Sequence, residues 1–219
     1  MVKGKVLTFQ VSGKLWKRSL VMDDLETKTL WSHILGEAMR GKLKGAVLES
    51  IPSTMTDWKS WKKDHPNSSV VNMSRTAGPG RRLNFNNEYY KKFGWNKFVI
   101  GYANGGKTRA WRYPDLKKQP VVNDKFGKKY LLVTFHQKNG ASYVFDRTVD
   151  GTPLKFVFEK GKLLDESSRS VWNMATGKCE SGSMKGKQLQ PQTGMISFAK
   201  AWENFHPEST YWSVNRKSR

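Results

Sequence analysis

Residues Gly101 to Thr108 read GYANGGKT and fit the phosphate-binding pattern G-x-x-x-x-G-K-[ST] in full. In a working loop of that kind the backbone amides cradle phosphate, the lysine reaches the terminal phosphates, and the hydroxyl holds magnesium. Such a loop follows a strand and opens a helix, because the helix N-terminus supplies the amide donors. Here Thr108 runs into RAWRYP, with aromatics at alternate positions and Pro114 six residues on, so no helix of useful length is expected. Asn104-Gly105-Gly106-Lys107 suits a tight turn needing positive φ, and the stretch reads as a β-hairpin. Asp146, at the end of the apolar run YVFD, could supply a magnesium ligand, but that run lies in a hairpin meander and not in a parallel sheet interleaved with helices.

The other chemistry-bearing residues are few. His136 and Asp146 flank a hairpin and could provide two metal ligands, with Cys179 or another histidine as a third; nothing in the spacing requires it. Asp146-Arg147 follows an apolar strand and either binds a polar ligand or forms a buried ion pair that fixes the hairpin. Asp124, in Asn123-Asp124, is a ligand candidate or a turn former. The candidate ligand-binding set is therefore His136, Asp146, Arg147 and Asp124, with no catalytic residue assigned. Cys179 is the one cysteine, which excludes an internal disulfide and a cysteine-rich zinc site. As a nucleophile it would need a base and an orienting group, and position identifies neither, so a buried thiol is expected.

The elements that must hold these residues are mostly strands. Searching for self-similarity exposes an internal repeat. Gly4, Leu7 and Phe9 match Gly151, Leu154 and Phe156 at an offset of 147. After a six-residue difference the offset becomes 141: Trp31, Gly36, Gly41, Gly45, Leu48, Trp61, His65 and Pro66 match Trp172, Gly177, Gly182, Gly186, Leu189, Trp202, His206 and Pro207. KVLTFQV alternates, placing Leu7, Phe9 and Val11 on one face. YLLVTFH and ASYVFDRTV flank Lys138-Asn139-Gly140 as a second hairpin, and Asp150-Gly151 turns the chain into LKFVF as a third. One short helix closes each copy, with Thr56 and Ser197 expected at the N-caps and Pro66 and Pro207 at the ends. His65 and His206, just before these prolines, read as helix-ending residues, and Trp61 and Trp202 as packing.

Charge bounds the partners. Thirty-nine Lys and Arg against eighteen Asp and Glu give a formal net charge of +21, which attracts polyanions without fixing a fold. The basic residues are scattered, with only the RKSR tail as a short run, so sequence-specific DNA reading finds little support. Basic residues interleaved with Trp95, Trp111 and Tyr113 could hold single-stranded nucleic acid or sugar rings, unless those rings belong to the core. No apolar run approaches the roughly 20 residues that span a bilayer, and MVKGKVLTFQV lacks the pattern of a signal peptide. The compartment and the oligomeric state stay open.

Taken together, TRAWRYPDL, VVND, VTF with VFDRTVDG, LVMDDLETKTLWSHILGEAMRG and WKSWKKDHP make the sequence resemble a prokaryotic family, domain of unknown function 3179, over nearly all of its length. The resemblance implies two related halves and supports the turn reading of Gly105-Gly106. It also implies that a first half would open with strands upstream of Met1, including a Thr-Tyr-Cys-Pro-x-Cys strand, so the chain is expected to be a fragment or a shortened member. His136 and Asn139 stand where those two cysteines would be.

The expected fold is mainly β: a duplicated antiparallel meander or barrel-like unit with one short C-terminal helix per repeat, or alternatively α+β. Residues 1–76 form a partial first repeat, 77–95 a linker, 96–212 a complete second repeat and 213–219 a basic tail. The expected function is non-catalytic binding of a ligand or polyanion (nucleic acid or acidic polysaccharide) through the basic surface, with no required cofactor. The alternative is a metal-dependent or redox protein whose cysteine-bearing half lies outside this chain.

Overall fold

In the computed structural model, which describes residues 2, 4–70 and 94–214, two-residue turns do much of the folding work. Strands β1 (Phe9–Trp16) and β2 (Ser19–Asp24) form a long hairpin, and β3 (Leu30–Ser32) and β4 (Ala38–Arg40) complete a four-stranded antiparallel sheet in sequence order. Phe9 packs edge-on against Trp31, but Val11 is 67% exposed because the hairpin has already left the body there. The expected apolar face therefore ends at Phe9. Helix α1 (Trp58–Asp64) comes after a stretch without regular structure. Its N-cap is Asp57, whose side chain accepts from Ser60 N at 2.9 Å, one residue later than the Thr56 expected.

After a 3₁₀ turn at Trp95–Lys97, β5 (Phe98–Asn104) and β6 (Lys107–Arg112) pair with Asn104 opposite Lys107. Gly105 and Gly106 take φ of 57° and 74° between them, the paired left-handed conformations of a tight hairpin. GYANGGKT is thus a β-turn. Beyond β6 the chain departs from expectation: Pro114 sits in the first turn of a six-residue helix, α2 (Tyr113–Lys118), where its missing amide costs nothing. Strands β7 (Val121–Phe126), β8 (Lys129–Phe135) and β9 (Ser142–Asp146) then form an antiparallel meander. Thr148–Val149 (β10) and Thr152–Pro153 (β11) make a small hairpin around Asp150 and Gly151.

A second four-stranded sheet comes next, again in sequence order: β12 (Phe156–Glu159), β13 (Lys162–Asp165), β14 (Val171–Trp172) and β15 (Cys179–Ser181). Strand β16 (Gln190–Gln192) joins β9, and after Thr193 the chain continues as β17 (Gly194–Phe198) against β5. One nearly continuous strand thereby crosses from one sheet to the other. Helix α3 (Ala199–Phe205) begins after Phe198, again one residue beyond the expected Ser197, and β18 (Thr210–Trp212) adds in parallel to β6.

The barrel-like alternative is corrected by this topology. The orders β16-β9-β8-β7 and β17-β5-β6-β18 leave β7 and β18 as outer strands, and no closed barrel forms among the described residues. Strand β18 occupies the edge of β6, so β6 and β7 meet through side chains. Arg109 donates from Nε and Nη2 to Asp124 at 2.9 and 3.0 Å, and Trp111 Nε1 donates to Asp124 at 3.0 Å.

Alternation along the middle sheet divides two cores. Leu131, Val133, Phe135 and Val144 face one core with Ile100, Trp111 and Tyr113; Leu132 and Phe145 face the other with Phe156, Leu163 and Trp172. The first sheet has a smaller core around Trp31 and Ala38. No described helix is long and apolar enough to cross a membrane. Residues 77–93 of the expected 77–95 linker and 215–219 of the expected basic tail lie outside the described residues.

Candidate functional site

The residues singled out by chemistry do not converge. Asp124 is engaged by Arg109 and Trp111, with both members of the ion pair about 10% exposed. Asp146 sits opposite Leu131, whereas His136 lies beyond the Phe135–Ser142 pair at the other end of the same hairpin. The two cannot share a metal in this register. Asp146 instead takes Lys129 Nζ at 3.0 Å and caps the Thr148 amide at 3.0 Å. Burial opposes its ionisation, but these bonds outweigh it and hold the carboxyl below its ordinary range. Arg147 does not pair with Asp146: its guanidinium lies 5.2 Å over the Tyr130 ring and donates to the Leu154 carbonyl, while its buried Nε has no partner. Among the described residues no three His, Cys, Asp or Glu side chains gather as a metal-binding group.

Other placements are equally specific. Cys179 is fully buried, and burial pushes its thiol up. His65 and His206 are the C-caps of α1 and α3, their amides bonded to the Trp61 and Trp202 carbonyls at 2.8 Å and their rings packed on the same tryptophans, stacked at 29° for His65 and tilted at 43° for His206. His33 is exposed. Trp111 and Tyr113 are core residues and Trp95 packs against Tyr113 and Phe135, so these three rings form no exposed stacking platform.

What the fold does bring together is α1 and the β8–β9 loop. The loop is held by Gly140 N donating to His136 O and His136 N donating to Ala141 O, each at 2.8 Å. From it Asn139, 7% exposed, points its amide at the start of α1, reaching Asp57 Oδ2 at 2.8 Å, Thr56 Oγ1 at 3.0 Å and Ser60 Oγ at 3.1 Å. Burial disfavours the Asp57 carboxylate, but bonds from Ser60 and Asn139 prevail and hold it at about 2. This polar staple docks a helix from the first third of the chain onto a hairpin some eighty residues later.

Beside the staple opens a cleft of about 370 Å³ whose walls include His136, Lys63, Asp64, Lys162, Asn173 and Glu180. Its carboxylates are already held: Asn173 Nδ2 donates to Asp64 at 3.1 Å and to Glu180 at 2.9 Å, while its Oδ1 accepts from the Ala175 and Thr176 amides. Its cations are not, since Lys63 and Lys162 enter no ion pair among the described residues. His136 Nε2 is buried without a hydrogen-bond partner, and burial lowers the pKa of the imidazole below the ordinary histidine range. Tyr143 and Ala175 separate this cleft from an apolar cavity of about 170 Å³ lined by Pro52, Trp61, His65 and Phe145.

A neutral imidazole with a spare nitrogen and two unpaired ammonium groups can take up an anionic or hydrogen-bonding small molecule. Of these residues the sequence pointed to His136 alone. Lys63, Lys162 and Asn173 come from three separate segments, and no local pattern marks them. No curated protein and no solved structure matches the chain. A family model described as "Protein of unknown function (DUF3179)" matches residues 1–209, and the chain belongs to that family.

Proposed function

We propose that this chain is a non-catalytic, duplicated β domain, a partial repeat over 1–76 and a complete one over 96–212, which binds a small anionic ligand in the His136 cleft. The observation that carries the reading is the buried His136 Nε2 without a hydrogen-bond partner, beside two lysines that enter no ion pair among the described residues. The acceptors Asp64 and Glu180 are occupied by Asn173, whereas Lys63, Lys162 and His136 Nε2 offer unanswered polar groups. A carboxylate or phosphate would answer them with charge-assisted bonds.

The test is an NMR titration of the His136 imidazole with inorganic phosphate and with citrate. Bound anion compensates the charged imidazole, so its pKa is expected to rise and the affinity to increase as pH falls from about 7 to about 5.5. His136→Gln and Lys162→Glu are each expected to weaken binding. Unchanged affinity in both variants would remove the cleft from consideration.

A second reading, favoured by the net charge of +21, is association of the basic surface with a polyanion. Its signature is an affinity that falls steeply with salt.

A further inference from the structure

The six-residue difference between the two repeats has a structural counterpart. In the second sheet β12 and β13 join at Glu159 and Lys162, around Lys160 and Gly161. In the first sheet the corresponding hairpin is longer, and β1 and β2 join at Trp16 and Ser19, around Lys17 and Arg18. The extension carries this tip to α3: Lys17 Nζ donates to the Asn204 carbonyl at 2.7 Å, and the Trp16 ring meets Phe205 edge-on at 4.9 Å. Between the tip and α3 lies a cleft of about 600 Å³ walled by Lys17, Arg18, Lys97 and Lys200, with Glu203 as its single carboxylate. Glu203 already lies 3.6 Å from Lys200 and accepts from Tyr211.

Two independent features mark this cleft. It gathers four cations against one carboxylate, an arrangement that repels itself unless an anion is present. Its turn is also conformationally costly, since Lys17 and Arg18 take φ of 49° and 65° in a two-residue turn that favours asparagine and glycine. At the second position the shorter hairpin has Gly161, at φ of 77°, where this one has Arg18. An observed backbone outlier of this kind is a pointer to function.

We propose that this cleft binds single-stranded nucleic acid, with phosphates on Arg18, Lys97 and Lys200 and a base beside the Trp16 ring. Lys17 is the anchor that holds the tip to α3. The proposal rests on the polyanion reading and gives that reading a location. A single strand is favoured because it supplies both of the things the cleft can use. Its phosphates match the arginine fork, and its unstacked bases suit Trp16, which adjoins the cleft rather than lining it, 37% exposed with Lys17 Nζ 5.4 Å from its ring.

The experiment is fluorescence anisotropy of the full chain with labelled oligothymidylate of about 20 nucleotides, from about 50 to 200 mM salt. Arg18→Glu with Lys200→Glu is compared with Lys42→Glu and Lys44→Glu, an equal charge change at the base of the same hairpin, where Leu43 N is bonded to Thr29. The cleft variant is expected to bind about tenfold or more weakly and to lose about 1.4 from the log–log salt slope, about 0.7 per lost phosphate contact. The variant at the hairpin base is expected to change much less. Equal losses in the two variants would mean diffuse charge and overturn the cleft. Binding of heparin but not of oligothymidylate would overturn it in favour of an acidic polysaccharide. No binding to either at about 50 mM salt would end the polyanion reading itself.

Arg18→Gly guards against misfolding. It relieves the left-handed backbone and removes a cation, so it is expected to melt higher and bind more weakly. A higher melting point with unchanged affinity would also overturn the proposal.

Discussion

The β1–β4 sheet with α1 and the β12–β15 sheet with α3 carry the same internal bonds on different foundations. Trp31 Nε1 donates to Asp24 at 2.8 Å, and Trp172 Nε1 donates to Asp165 at 3.1 Å. Phe9 meets Trp31 at 5.5 Å and 83°, and Phe156 meets Trp172 at 5.6 Å and 84°. Trp61 and Trp202 each donate from Nε1 to a serine seven residues on, at 2.8 Å in both cases. Yet Trp202 is 1% exposed over Gly101 of β5, whereas Trp61 is only partly buried and its ring borders a cavity. Local sequence reproduces the local bonds in both places; what lies beneath them decides how much each is worth.

The largest expected difference comes from that contrast. Trp202→Ala should cost about 3–5 kcal/mol, as for a large aromatic removed from a packed core, and Trp61→Ala about 1–2 kcal/mol because less area leaves water. Urea denaturation of the two variants reads the difference directly. Equal losses would mean that Trp61 is as well supported as Trp202, and the comparison would fail.

A finer version uses two equivalent glycines. Gly36 and Gly177 have φ of 63° and 70°, so alanine strains the backbone at both, by about 1 kcal/mol. At Gly177 a Cβ would also stand 2.8 Å from the Phe145 ring, whereas at Gly36 its nearest contact is an ordinary 3.7 Å. Gly177→Ala should therefore cost about 1–3 kcal/mol more than Gly36→Ala, measured in the same denaturation series.

Acid should affect the two Asp–Trp locks alike. Burial opposes ionisation of Asp24 and Asp165, but bonds from Trp31 and Thr27, and from Ser168, Trp172 and Ser167, lower both pKa values in the fold. A depressed folded pKa means stability that is present above the ordinary aspartate range and lost as pH falls through the folded value. Asp24→Asn and Asp165→Asn should each flatten the acid limb of the stability–pH curve by a similar amount. A flattening at only one site would show that the foundation, and not the local bonds, sets the carboxylate's contribution.

The smallest effect is expected at the contact that only the first hairpin makes. Lys17→Ala removes one exposed bond to Asn204 and should cost about 0.5–1 kcal/mol, visible as a slightly lower melting temperature. A much larger loss would make the hairpin tip a structural support for α3.

Much of the fold was legible in the sequence because it depends on near neighbours. Asn-Gly-Gly and Asp-Gly dictate positive φ between alternating strands, and this was enough to set aside a complete phosphate-loop motif. Pro114 misled, because proline both ends helices and begins them, and only the residues after it distinguish the two. The candidate site was legible only at His136. Its remaining walls depend on Asn139 reaching back to Asp57 and Ser60, a juxtaposition between distant segments that no local preference encodes.

The sequence by itself determined the hairpins around Gly105-Gly106 and Asp150-Gly151 and the two short tryptophan helices, since each is stabilised by residues a few positions apart. The tertiary structure alone decided that Arg109, and not Arg147, pairs with an aspartate. It also decided that Asp146 and His136 stand at opposite ends of one hairpin, and that the two tryptophan helices rest on unlike surfaces. Backbone preference acts within a turn or two of the chain, whereas packing brings together whatever side chains the assembled sheets leave facing one another.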